Sequence, residues 1–424
     1  MQAIIRPGRI KGTIQVPASK SMMQRACAGA LLHKGKTIIH NPGRSDDDRA
    51  ALHIIQQLGA KIVSESKEKI EIESNGINPK TDIIDCRESG LSARLFTFIA
   101  ALSNRAIKIA GSGSLLKRPM DEFEDLFEEI DVKLPEFNGY IPFTIQGPLQ
   151  VRDITIDGSN SSQFLTGLLF AYAFAAKEAV TIHAYNLISK PYVDLSVDVL
   201  KQFGKHIKHD DYKAFYIDPA KDEVKDTVEI TIEGDWSSAA SLMVGAAIGG
   251  NITIKGLNTQ STQGDKAILD ILKTTGADIS IEADNIHVKT NEIRPFDFDA
   301  TDCPDLFPIL AVLAMYCDGT SNIEGVHRLF NKESNRVESI CEMLEQFDIS
   351  FSVEDDILTI ISEGFAERAV IDSYHDHRIV MAAAIAALQT DGEVVITNAQ
   401  AVNKSYPGFF DDLILLDANC IITE

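Results

Sequence analysis

The sequence has no Cys-x-x-Cys pair; its six cysteines, at 27, 86, 303, 317, 341 and 420, are scattered. Isolated cysteines argue against a zinc site and suit a reducing compartment better than a disulfide framework. Long apolar runs are missing too. The longest, Phe164 to Ala176, has 13 residues, whereas a membrane-crossing helix needs about 20. Arg6 and Arg9 flank no apolar stretch that would make a secretory leader. The expected location is therefore the cytoplasm. Positive charge is scarce: 40 Lys and Arg stand against 62 Asp and Glu, a net −22. That balance repels nucleic acid and anionic membranes. Neither is expected as a partner, and any local gathering of cations needs its own explanation.

What is present is ordinary globular material, 45% hydrophobic and 24% charged. A chain of 424 residues is long enough for two domains or more. A short pattern, apolar-Gly/Asp-x-x-apolar, closes six amphipathic segments. It begins at Leu58, Ile130, Phe203, Thr275, Phe347 and Leu416, in steps of 72, 73, 72, 72 and 69 residues. Gly at a helix end followed by alternating residues is helix–turn–strand grammar. Near-constant phase across six copies marks an internal repeat. Between the copies lie six segments that are apolar nearly all round and should be buried helices: Met22–Leu32, Leu91–Leu102, Phe164–Ala176, Ala239–Ile248, Leu306–Tyr316 and Ile379–Leu388. The expectation is an α/β chain in which each unit carries one buried helix, one half-exposed helix and several short strands. The charged patch Lys221 to Asp226 is a plausible crossing point between domains.

The entries to the six buried helices are polar. Ser19-Lys20-Ser21 opens the first, with Arg25 one turn on. Glu88-Ser89-Gly90, Ser161-Ser162-Gln163, Asp235, Asp305 and His377-Arg378 stand at the others. Unpaired amides and partial positive charge at a helix start suit an anion, most simply a phosphate. Capping is the plainer use of Ser and Asp there. Further cations stand at Lys117-Arg118, at Lys332 and Arg336, expected on one face of a helical turn with Glu333 between, and at Lys404. Surface ion pairs would explain Lys332 and Lys404 singly. The same placement in several repeats favours a phosphate-binding site in an acidic protein.

The segments Ala18–Arg25, Ser89-Gly90, Arg94, Lys117–Pro119, Gly158–Phe164, Ser189–Tyr192, Pro304-Asp305, Lys332–Arg336, Asp376–Arg378 and Asn403–Pro407 occur in this order. In kind and spacing they resemble the 5-enolpyruvylshikimate-3-phosphate synthase branch of the enolpyruvyl transferase family. The resemblance runs from about residue 6 to the C-terminus. It implies a two-domain inside-out α/β barrel of six βαβαββ-type repeats, three per domain. One domain would comprise residues 1–15 plus 229–424 and the other 16–228, with the active site in the cleft between them. The implied reaction moves the enolpyruvyl group of phosphoenolpyruvate to the 5-hydroxyl of shikimate 3-phosphate and releases phosphate. Such chemistry needs a general acid and a general base close together. The resemblance gives Asp305 as base, Glu333 as proton donor, Lys20 as a participant in proton transfer and His377 as an orienting group. It assigns shikimate 3-phosphate to Lys20, Ser21, Arg25, Ser161, Ser162, Gln163, Ser189, Asp305, Arg328 and Lys332. It assigns phosphoenolpyruvate to Lys20, Gly90, Arg118, Gln163, Arg336, Arg378 and Lys404. It implies no metal, no organic cofactor, and action as a monomer on these two small molecules.

Three positions depart from the pattern, and the first is a small change: Ala18 stands where the family commonly has Gly. Glu88 and Leu91 stand where the family commonly has Asn and Thr, so a carboxylate is added near an anion site and a hydroxyl is lost. An inactive or weakened paralogue that binds phosphosugar-like ligands is therefore an alternative. The sister UDP-N-acetylglucosamine enolpyruvyl transferase is another. It usually carries a reactive cysteine on the loop that is Gly113–Lys117 here, and this loop has none.

Overall fold

The segments that are apolar on every side fold as helices with no wet face. The computed structural model describes residues 1–282 and 285–423. The chain divides into two compact units, Ala18–Glu233 and Met1–Pro17 with Gly234–Glu424. The first unit holds helices α1 (Lys20–Leu32), α2 (Asp46–Gln57), α3 (Gly90–Ala100), α4 (Glu122–Glu129), α5 (Ser162–Ala175) and α6 (Lys190–Gln202). The second holds α7 (Trp236–Gly249), α8 (Ile268–Thr275), α9 (Phe307–Met315), α10 (Arg336–Gln346), α11 (His377–Ala386) and α12 (Phe409–Leu415). Odd-numbered helices are buried: every residue of α9, Phe-Pro-Ile-Leu-Ala-Val-Leu-Ala-Met, is sealed from solvent. Even-numbered helices bury one stripe. In α4, Phe123, Leu126 and Phe127 face the core while Glu124, Asp125 and Glu128 face water. Among the described residues no helix is long and apolar enough to cross a membrane.

Among the described residues each unit carries three sheets that share one plan, a parallel pair extended by one or two antiparallel strands. Thr227–Thr231 runs parallel to Gly35–His40, which pairs antiparallel with Lys69–Ser74, which pairs antiparallel with Lys61–Glu65. In Lys69–Ser74, Ile70 and Ile72 are buried while Lys69 and Glu73 are exposed, so one face is dry and the other wet. In the second unit Ile10–Gln15 lies parallel to Gly250–Lys255, and Gln2–Arg6 lies between Val394–Thr397 and Asn419–Thr423. The strand Thr227–Thr231 belongs wholly to the first unit because its partner is Gly35–His40. A border at 228/229 would cut that strand; the division falls after Glu233, and the earlier one after Pro17. Each unit has its own hydrophobic core.

Side-chain caps start five of the six buried helices. Ser19, Ser89, Ser161, Asp235 and Asp376 accept from Met22, Ser92, Gln163, Ser238 and Arg378 backbone amides respectively. The exception is α9, which is entered through the tight turn Pro304–Leu306 and has no side-chain cap. Asp305 is thus free of capping duty.

Candidate active site

Arg336 is the hub of the second unit's polar cluster. It is fully buried at the first position of α10. Its Nε donates to Asp376 Oδ2 (2.8 Å), Nη1 to Asp305 Oδ1 (2.8 Å) and Nη2 to Glu333 Oε2 (2.7 Å). Burial alone would disfavour the cation, but Asp376, Glu333 and Asp305 outweigh it and keep Arg336 firmly charged. Asp376 accepts in addition from Ser334 Oγ (3.1 Å) and from the Arg378 amide (2.9 Å). It caps α11 and anchors Arg336 with the same carboxylate. Arg378, also buried, donates from Nη2 to Asp305 Oδ2 (3.3 Å), and Lys332 Nζ lies 3.8 Å from Asp305 Oδ1. Burial would push the Asp305 carboxyl up; the facing Arg378, Arg336 and Lys332 override that and hold it well below the usual range. Lys332 is pushed down to about 8, burial outweighing the pull of Asp305. Behind Arg378 lies Asp265, fully buried and accepting from Ser237 Oγ. Burial, then the nearby Asp305 charge, raises Asp265 to about 7. Lys404 is buried and donates to the His375 carbonyl at 2.8 Å.

The first unit gathers cations with fewer carboxylates. Arg25, on α1, donates to Ser196 Oγ (2.8 Å), the Ser21 carbonyl (2.8 Å) and the Tyr192 carbonyl (3.1 Å). All three partners are neutral, and burial lowers Arg25 to about 10. A buried cation held only by dipoles leaves positive charge uncompensated, which an anion can satisfy. Lys20 sits 3.0 Å from Asp47 Oδ2. Arg94 donates from Nη1 to Gln163 Oε1 (2.9 Å) and from Nη2 to the Pro119 carbonyl (3.1 Å), and its guanidinium stands 5.1 Å from the Phe164 ring centre. The buried Arg118 guanidinium lies over Gly90: a Cβ there would meet its Nη1 at 2.4 Å. A side chain at 90 would therefore force the Arg118 guanidinium to move. Ser161 and Ser162 start α5, and Ser189, before α6, holds a left-handed backbone with φ of 53°.

Comparison with known proteins now bears on this geometry. A profile described as EPSP synthase (3-phosphoshikimate 1-carboxyvinyltransferase) matches residues 4–413. The chain belongs to the EPSP synthase family. The 3-phosphoshikimate 1-carboxyvinyltransferase of Clostridium novyi is 36% identical over 96% of this chain and 95% of its own length. That of Methanocorpusculum labreanum is 34% identical over 99% of both. Among solved structures, EPSP synthase of Acinetobacter baumannii superposes with a TM-score of 0.83, at 24% identity, over 99% of this chain and 100% of its own. The enolpyruvyl transferase NikO of Streptomyces tendae gives 0.80 at 17% identity over 99% and 98%. The two structural likenesses establish the mixed α/β fold.

The expected site residues therefore fall into two sets. Asp305, Arg328, Lys332, Glu333, Arg336, His377, Arg378 and Lys404 lie in the second unit, and Lys20, Ser21, Arg25, Gly90, Arg118, Ser161, Ser162, Gln163 and Ser189 in the first. Within the second, Asp305, Lys332, Glu333, Arg336 and Arg378 are in mutual contact. Arg328 is buried and donates from Nε to the Thr301 carbonyl at 3.2 Å; burial lowers it to about 10. His377 is buried, its Nδ1 3.8 Å from Asp376 Oδ1. One expectation about local structure is corrected. Lys332–Asn335 is a bend, not a helical turn, because α10 begins only at Arg336. The two cations meet through Asp305 instead of a shared helix face. Lys404 is buried and Asp305 does not cap α9, so the plainer uses of both are set aside. Sequence reasoning assigned no role to Asp376, Arg94, Asp47 or Gln24. Gln24 Oε1 accepts from Ser89 Oγ and Ser92 Oγ, both at 2.9 Å, and so ties α1 to the start of α3. Asp47 meets Lys20 from 27 positions away, Asp376 meets Arg336 from 40, Gln24 meets Ser92 from 68 and Arg94 meets Gln163 from 69, so only spatial proximity reveals such partners.

Proposed function

We propose that these two clusters carry the transfer of the enolpyruvyl group from phosphoenolpyruvate to the 5-hydroxyl of shikimate 3-phosphate, with release of phosphate. The observation that carries the reading is Asp305: a carboxylate bonded to Arg336 and Arg378, with Lys332 beside it and Glu333 on the same arginine. A dianionic phosphate with a carboxylate can draw both arginine forks to itself, which suits planar guanidinium recognition. Asp305 then loses the cations that depress it and regains basicity. It takes the proton of the 5-hydroxyl as that oxygen bonds to C2 of phosphoenolpyruvate. Glu333 delivers a proton to C3. The C2–O bond to phosphate then breaks and C3 gives a proton back, restoring the vinyl group.

Arg118, with Gly90 beneath it, and Gln163, aligned by Arg94, suit the phosphoenolpyruvate end, along with Lys20, Arg336, Arg378 and Lys404. Arg25, Ser21, Ser161, Ser162, Ser189, Arg328 and Lys332 suit the phosphate and hydroxyls of shikimate 3-phosphate. Lys20 shares proton transfer, and His377 orients the reacting carbon. The wider reading is an inside-out barrel of six βαβαββ-type repeats, three per domain. The single strand plan shared by the sheets supports it. The test is phosphate release from purified protein given both substrates, beside Asp305→Ala. Release that is lost in the variant is expected; no release from the native protein with tight shikimate 3-phosphate binding would favour an inactive paralogue.

A further inference from the structure

The segment that runs into α3 and the loop that ends on Arg118 lie side by side and are tied at successive points. The Cys86 amide donates to the Ala110 carbonyl (2.8 Å), and the Ser112 amide to the Arg87 carbonyl (2.7 Å). Next comes Glu88, whose Oε2 accepts from both the Ser114 amide and Ser114 Oγ at 3.3 Å. Last comes Gly90, under the Arg118 guanidinium. The loop itself is a short 3-10 turn, Gly113–Lys117, and its own leading residue, Ser112, supplies no side-chain cap. The Glu88 carboxylate does that work from outside. It packs so closely on Gly113 that a Cβ there would lie 2.3 Å from Glu88 Cδ, and Gly113 takes a left-handed φ of 56°. The turn closes with the Arg118 amide donating to the Leu115 carbonyl at 3.2 Å, and Leu115 is fully buried.

We propose that Glu88 is a positioning residue for phosphoenolpyruvate, acting through Arg118: it caps the Gly113–Lys117 turn and so fixes where Arg118 emerges over Gly90. The carboxylate that departs from the family's common Asn is therefore a brace spent on the loop. Asn, one methylene shorter, would not span the same distance. The proposal rests on the reading that Arg118 binds phosphoenolpyruvate. Buried Leu115 still anchors the loop when Glu88 is lost, so variants should fold.

The test compares Glu88→Ala and Glu88→Gln by steady-state kinetics, varying each substrate against saturation with the other. Glu88→Ala should raise KM for phosphoenolpyruvate about five- to tenfold, the worth of one or two such hydrogen bonds. KM for shikimate 3-phosphate should stay within about twofold. Gln keeps the reach and one acceptor oxygen, so Glu88→Gln should recover most of the loss. In an Arg118→Lys background Glu88→Ala should add little, since both changes act on one contact. An equal rise in both KM values, no rise, or full multiplication of the two effects would overturn the proposal. Backbone amide exchange at 113–118 reads the brace without turnover. Faster exchange in Glu88→Ala, and not in Glu88→Gln, is expected; unchanged exchange sinks the brace even if the enzyme is active. Absence of turnover in the native protein would sink the reaction assignment instead.

Discussion

Asp305 holds the same cations that the proposed ligand would need. In the second unit its carboxylate takes one nitrogen of Arg336 at 2.8 Å and one of Arg378 at 3.3 Å, with Lys332 Nζ 3.8 Å away. Any anion that binds these cations must displace a charge already there. Replacing Asp305 with Asn removes the charge and keeps the shape. One unit charge at 4 Å is worth about 4 kcal/mol at an effective dielectric near 20. The Asp305 side chain is 29% exposed, and Asp376 and Glu333 still face Arg336, so solvent and neighbours reduce this to roughly 1–2 kcal/mol. The expected result is about five- to thirtyfold tighter phosphoenolpyruvate binding in Asp305→Asn at saturating shikimate 3-phosphate, by calorimetry, while phosphate release falls by orders of magnitude. The gain should shrink at high salt. Unchanged or weaker phosphoenolpyruvate binding, with an unaltered melting temperature, would refute the idea that Asp305 guards these arginines.

Gly90→Ala places a Cβ 2.4 Å from Arg118 Nη1. It should displace the guanidinium and raise KM for phosphoenolpyruvate about tenfold or more in steady-state kinetics, with stability nearly unchanged because Arg118 can shift. Arg25→Lys keeps a charge but cannot reach Ser196 Oγ and the Ser21 and Tyr192 carbonyls together. Urea unfolding should show a loss of roughly 1–3 kcal/mol, and shikimate 3-phosphate should bind more weakly. The Asp48 carboxyl, buried in the capping box of α2, is raised by burial from its ordinary 3.8 to about 7. The folded state therefore holds a proton that the unfolded state has lost, so this group's stabilisation is greatest below the unfolded value and fades as pH climbs towards 7. Between pH 5 and 8 the native protein should lose about 2–3 kcal/mol relative to Asp48→Asn, from two pH units at 1.36 kcal/mol each. Parallel pH profiles in urea melts would contradict it.

The fold was legible wherever one property decided a segment. The run Phe307–Met315 has no polar side chain and is longer than most strands, so it reads as a buried helix, and the alternation of Lys69–Ser74 reads as a half-buried strand. The repeat spacing made the order of helix and strand readable as well. Of the Arg336 hub only Glu333, three residues away, was legible, because Asp305 and Asp376 stand 31 and 40 residues away and no local rule links them. Asp305 could be read as a cap because Asp before an apolar helix usually is one; the tight Pro304–Leu306 turn removes that role. Glu88 looked like an intruding charge for the opposite reason, since its target lies 26 residues on, across a loop.

The same limit applies to the charge count. A net −22 describes the whole surface. It does not register that in the second unit Arg336, Arg378 and Lys332 are balanced by Asp305, Asp376 and Glu333, while Arg25 in the first meets only neutral partners. In one cluster the cations are paired with the cluster's own carboxylates; in the other, Arg25 meets only neutral partners among the described residues. Composition cannot separate these two states, yet they ask different things of a ligand. The first requires an anion strong enough to compete, such as a phosphate with a carboxylate beside it. The second requires only that negative charge arrive.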